Sequence, residues 1–175
     1  MKKTLAALVT AVLALSLSSC GSNDDAKASE AISDQVMASQ KSSSGTSQLL
    51  KLKQKEADCI GDGMVDKIGT DQLQEYKILT EDLKSNKGVT GVTMSKDDAK
   101  AATDVLFDCT DVPAMMQKAL DSAGQVPDEM KECVNKQINE ENLRPMFEMV
   151  FNGKEEQATQ GLIKKMTACA TGSAG

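Results

Sequence analysis

Histidine and tryptophan are absent from this 175-residue chain, tyrosine occurs once and phenylalanine three times. Without histidine the chain lacks the group that ordinarily exchanges protons near neutral pH, which is also the commonest transition-metal ligand. A serine nucleophile would have to find another base. So few aromatics leave little from which to build a stacking platform for bases or sugars. Arg144 is the single arginine, and 26 acidic side chains outnumber 20 basic ones, for a net charge of −6. Nucleic-acid binding draws on clustered positive charge that displaces counterions, and the lysines here are scattered. The same balance gives no electrostatic pull toward anionic lipid. No two cysteines stand at the C-x-x-C spacing of a redox dithiol.

What is present begins with a targeting segment. Lys2 and Lys3 precede an apolar run from Leu5 to Leu17. That run is shorter than the roughly 20 residues a membrane-spanning helix needs, so it reads as a cleaved signal. The run ends Leu17-Ser18-Ser19-Cys20, followed by Gly21. This string resembles the lipobox of bacterial lipoproteins: an aliphatic residue, two small residues and an obligatory cysteine. The resemblance covers about the first twenty residues. It implies that residues 1–19 are removed, that Cys20 is lipidated and becomes the mature N-terminus, and that the protein is held at the extracytoplasmic face of the bacterial cell membrane. Each buried methylene adds roughly 0.8 kcal/mol and one chain alone binds marginally, so the two or more chains expected on Cys20 make a durable anchor. Signal removal takes two lysines and no acid, leaving a charge of −8.

Residues 20–47 are expected to form a lipidated flexible stem. From Gly21 to Ser47 the chain holds eight serines and few large apolar residues, too little to repay ordering. As a coil it would hold the domain on the order of 30 Å from the membrane. Ile32 and Val36 are four apart, which allows a transient helix.

From Gln48 the apolar pattern has helical period with no sustained alternation. It predicts an all-α domain over residues 48–170, a compact bundle of five to seven short helices, and a loose tail over 171–175. Ala57, Ile60, Met64 and Ile68 share the face of a helix ending near Gly69, weakened by Gly61 and Gly63. A helical turn over Asp71 to Tyr76 and a loop over Lys84 to Gly91 follow. Ser95 reads as an N-cap with Asp97 and Asp98 in the first turn, and Ala102, Val105, Leu106 and Cys109 form that helix's buried stripe. Pro113 suits the start of the next helix, which buries Met116, Leu120 and Ala123 and closes at Gly124. Pro127 opens another, with Met130, Cys133, Val134 and Ile138 inward. Leu143, Met146, Phe147, Val150 and Phe151 make the clearest apolar face. There Pro145 requires either a helix starting near Arg144 or a kink. A last helix turns Ala158, Leu162, Met166 and Cys169 inward.

Apart from Cys20, four cysteines remain, an even number in an exported chain. Three pairings are possible. Cys59 sits on a first helix and Cys109 ends one that can return beside it, and Cys133 and Cys169 stand in the same relation, which favours Cys59–Cys109 and Cys133–Cys169. Closing loops of 50 and 36 residues, each bridge stabilises by about 4 kcal/mol in the chain-entropy model. The segment Gly69-Thr70-Asp71-Gln72-Leu73 resembles Asn139-Glu140-Glu141-Asn142-Leu143. The sequence thus allows two related halves, each closed by a disulfide, although two-bridge helical proteins can match this well by chance. Over Glu56 to Cys169 the arrangement resembles helical lipoproteins of unknown function from actinobacteria, a resemblance that implies a fold and no activity.

The remaining chemical candidates are weak. Ser95-Lys96 and Lys41-Ser42 are serine–lysine pairs that could stand in for a serine and its base, but such pairs arise readily in a chain rich in both. Carboxylate pairs at Asp97/Asp98, Asp128/Glu129, Glu140/Glu141 and Glu155/Glu156 fall at predicted helix starts, where the dipole explains them. Asp58/Asp62 and Asp108/Asp111 lack the oxygen ladder of a calcium loop. Met115-Met116 and Met146/Met149 offer soft ligands for Cu(I), yet at helical spacing methionines ordinarily fill core gaps. The expectation is therefore a non-enzymatic binding or accessory domain of the cell envelope with no metal, cofactor or nucleic-acid partner. Its partner would be an envelope protein, in addition to the membrane itself. The alternative is a carrier or sensor of a small apolar ligand held in a methionine-rich core, and behind it stands a carboxylate-based envelope hydrolase.

Overall fold

A helix, α1, runs from Asn23 to Ser39, through the segment whose serine content predicted a flexible stem. In the computed structural model, which describes residues 23–40, 51–86, 91–122 and 128–170, α1 is part of the domain, and the expected stem is corrected over this range. Composition misleads here because α1 needs only a narrow apolar stripe. Ala28 and Ile32 are buried, and Ala31 and Val36 pack beside them. The facing helix, α2 (Gln54–Ile68), presents backbone instead of a large side chain. A Cβ at Gly61 would run into the carbonyl of Ser29, so Gly61, expected to weaken α2, is what lets α1 seat. Ser33 is buried and donates to Asp58 Oδ1 at 2.6 Å, and Gln54 Nε2 donates to both. At the other end of α1, Thr70 donates to Asp25 at 2.8 Å.

Six further helices follow: α3 (Thr70–Glu75), α4 (Lys96–Cys109), α5 (Val112–Ser122), α6 (Asp128–Gln137), α7 (Glu140–Phe151) and α8 (Glu155–Ala170). The fold is all-α, and the described residues contain no strand beyond two isolated bridges, Leu79 with Ser85 and Thr93 with Asn152. None of the helices is long and apolar enough to cross a membrane among the described residues. Ser95 caps α4, its Oγ accepting from Asp98 N–H at 3.2 Å. Tyr76 pins the same helix start: its hydroxyl donates to Asp98 at 2.6 Å and accepts from Ser95 N–H at 2.9 Å. Pro113 lies in the first turn of α5. Asn139 caps α7, which begins at Glu140, so Pro145 sits inside the helix in its second turn. Its missing N–H removes the hydrogen bond that residue 145 would otherwise donate to the Glu141 carbonyl. The signal segment and Cys20, Lys41, Ser42, residues 87–90, Ala123, Gly124, Pro127 and the tail lie outside the described residues, as do the side chains of Asp128, Glu129 and Met166.

Two clusters form the core. In the first, Ile60, Met64, Leu73, Leu79, Met94, Ala102 and Val105 close under α1. In the second, Phe107, Val112, Val134, Ile138 and Leu143 pack with Met116, Leu120, Met146 and Phe147. Leu106 touches both clusters. Phe151, at the far end of α7, crosses into the first, and its carbonyl accepts from Met94 N–H at 2.8 Å.

The disulfides join Cys59 to Cys109 and Cys133 to Cys169, each with a Cα–Cα distance of 5.6 Å. The two halves share a plan. Cys59 is the sixth residue of α2 and Cys133 the sixth of α6; Cys109 ends α4 and Cys169 is the penultimate residue of α8. Gly69 and Asn139 precede α3 and α7, their carbonyls accept from Leu73 N–H at 3.1 Å and Leu143 N–H at 3.0 Å, and both leucines are buried. The halves differ in the middle helix, six residues in α3 against twelve in α7.

Candidate functional site

The second half opens an apolar pocket of about 210 Å³ between α6, α7 and α8. Helical spacing builds it. Val134 and Ile138, four apart on α6, form one wall, and Leu143, Met146 and Met149, three apart on α7, form the next. From α8 come Ala158, Gly161, Leu162 and Lys165, with the Cys133–Cys169 bridge tying α8 to α6 beside them. Pro145 lies on the lining.

Gly161 stands in the interior of α8, where glycine costs roughly 0.5–1 kcal/mol relative to alanine. Gly61 and Gly63 have a packing reason: a Cβ at the first meets Ser29 and at the second the side chain of Val105. A Cβ at Gly161 meets nothing within 4 Å. Gly161 is exposed at the edge of the pocket, so the position is open space and not a close contact between helices.

The polar groups of the pocket are few. Lys165 donates to Asn142 Oδ1 across the gap between α8 and α7. Gln137 Oε1 and the Gln137 carbonyl accept from Asn142 Nδ2, and Glu141 is exposed at the rim. The arrangement offers one ammonium above an apolar floor.

The other candidates are dispersed. All four described cysteines are consumed in bridges. Met146 and Met149 line the pocket and Met116 packs in the same core cluster, the gap-filling role ordinary for methionine. Among the described residues no group of three or more cysteines and acids is placed to hold a metal. Asp58 is engaged by Ser33 and then Gln54, whose hydrogen bonds hold its carboxyl below the usual range. Asp108 pairs with Lys67 at 3.1 Å, and Asp111 accepts from Ala114 N–H at the start of α5. Ser95 Oγ lies 2.8 Å from Asp98 Oδ2, which engages it as part of the α4 cap. Glu140 pairs with Arg144 at 3.1 Å.

Sequence reasoning missed Gly161 and Lys165. Both lie four apart on α8 and so share a face, a signal present in the sequence but meaningless until the pocket shows which face that is. A larger apolar pocket of about 370 Å³ in the first half has Leu52, Asn86 and Val92 on its rim. No protein-family model, no curated protein and no solved structure matches the chain.

Proposed function

We propose that this chain is an exported lipoprotein, anchored by acyl groups on Cys20 to the extracytoplasmic face of the bacterial cell membrane, whose disulfide-braced helical domain is a non-enzymatic binding module of the envelope. The observation that carries the reading is the cysteine count. Five cysteines include one in a lipobox, and the other four pair without remainder. An odd thiol is thereby avoided in an oxidising compartment, where structural disulfides belong. Because α1 begins at Asn23, only Gly21 and Ser22 separate it from Cys20. Any tether of this length is short beside the 27-residue stem that composition predicted, since at most about 3.6 Å of reach is added per residue. Growth with an azide-bearing palmitate analogue tests the anchor. The parent chain takes up the label, and Cys20→Ala does not and is released or remains an uncleaved precursor. Equal labelling of both would defeat the reading.

The apolar pocket between α6, α7 and α8 favours a second reading within the first, that the module carries or senses a small apolar ligand. Native mass spectrometry of protein from its own host would show retained mass that organic extraction removes.

A further inference from the structure

We infer that the pocket between α6, α7 and α8 takes the chain of a medium-length fatty carboxylate, with the carboxylate at Lys165. This rests on the ligand-carrying reading above and assigns its ligand class.

Three observations converge. Gly161 gives up helix stability where no neighbour requires a glycine, since a Cβ there meets nothing within 4 Å. Its effect is to leave the exposed edge of the pocket without a side chain. The surrounding walls are apolar, and Met146 and Met149 supply unbranched, adaptable side chains suited to a guest of variable shape. Lys165 lies one turn beyond Gly161 on the same face. Its ammonium is held by Asn142 Oδ1, a neutral acceptor that orients the charge without cancelling it. A carboxylate can accept from the same ammonium in a charge-assisted hydrogen bond.

Size and charge narrow the class. At about 210 Å³ the pocket exceeds the roughly 150 Å³ that encloses a benzene-sized guest, and it suits one chain segment, not two. Lys165 is half-buried and Glu141 exposed, so the less screened charge at the pocket is positive. That favours an anionic over a cationic head.

The test uses the disulfide-bonded full chain carrying Cys20→Ala, so that no attached acyl group competes. Decanoate, decanol and decyltrimethylammonium serve as probes by calorimetric titration. Decanoate binds one to one; Gly161→Leu, which fills the pocket, weakens it by about tenfold or more. Lys165→Gln weakens decanoate by about tenfold while changing decanol by less than about twofold. Methyl resonances of Met146 and Met149 shift on titration and those of Met64 and Met94, in the first core, do not, a readout independent of any variant. Unchanged decanoate binding by folded Gly161→Leu, or shifts confined to Met64 and Met94, would refute the site. If decanol or the cationic probe binds better than decanoate and responds to Gly161→Leu, the ligand-carrying reading stands and the carboxylate class falls. If none of the three binds, both fall.

Discussion

Arg144 places Nη1 2.8 Å from Oδ1 of Asp104, bridging α7 in the second half to α4 in the first. The guanidinium also stands 4.6 Å from the centroid of Phe107, whose ring meets Phe147 edge-on at 5.8 Å. A chain with one arginine and three phenylalanines thus gathers three of those four side chains at the seam between its two cores. Both charged side chains are about one-third exposed, at 31% and 34%. The pair is therefore screened less than a surface ion pair but far from fully desolvated.

Arg144→Met should lower stability to urea by about 1–2 kcal/mol, because it removes the ion pair, the Glu140 contact and the stacking on Phe107 together. Arg144→Lys should recover only part of this, since an ammonium lacks the planar fork. Equal stability of all three proteins would show the seam to be held by apolar packing alone.

The same pair sets an acid limit. The Lys100 ammonium, hydrogen-bonded to Asp104, holds that carboxyl below its usual range, with the charge of Arg144 adding to the effect. A depressed folded-state pKa contributes stability above the unfolded value, near pH 4, and loses it as pH falls through the folded one. Urea unfolding of Asp104→Asn against the parent should show a gap at pH 7 that closes below about pH 4. A gap independent of pH would assign the loss to packing.

Removing either disulfide by a paired cysteine-to-alanine exchange should destabilise the domain by about 4 kcal/mol, with little difference between bridges that close 50 and 36 residues. Thermal unfolding of Cys59→Ala/Cys109→Ala and Cys133→Ala/Cys169→Ala measures it. A much larger loss for one bridge would mean that its half does not hold together without the cross-link.

Two glycines should respond in opposite senses. Gly61→Ala forces a Cβ against the Ser29 carbonyl and should cost about 1–3 kcal/mol while exposing α1 to proteolysis. Gly161→Ala enters open space in a helix interior and should stabilise by about 0.5–1 kcal/mol. Calorimetric melting of both variants decides; matching signs would remove the distinction between a close approach and an open pocket.

Much of the domain was legible along the chain because helical period survives in a single sequence. The buried stripe of Ala57, Ile60 and Met64, the Ser95 cap and the break at Gly69 fall where the pattern puts them. The cysteine pairing was legible too, since each bridge joins a helix to one that returns beside it in the same half. Pro145 was ambiguous because its position relative to the helix start depends on a cap six residues earlier, Asn139.

The sequence by itself determined an all-α domain and favoured the two disulfides that close its halves, because period, capping residues and cysteine parity are local or countable properties. Tertiary structure alone decided that α1 belongs to the domain, since its narrow stripe is adequate only against a partner whose Gly61 admits close approach. It alone decided that Arg144 joins the halves across 40 residues of chain. It also decided that Gly161 and Lys165 face a pocket. A glycine filled by a neighbour and a glycine facing space read identically in one dimension, and only the position of the neighbouring helices tells them apart.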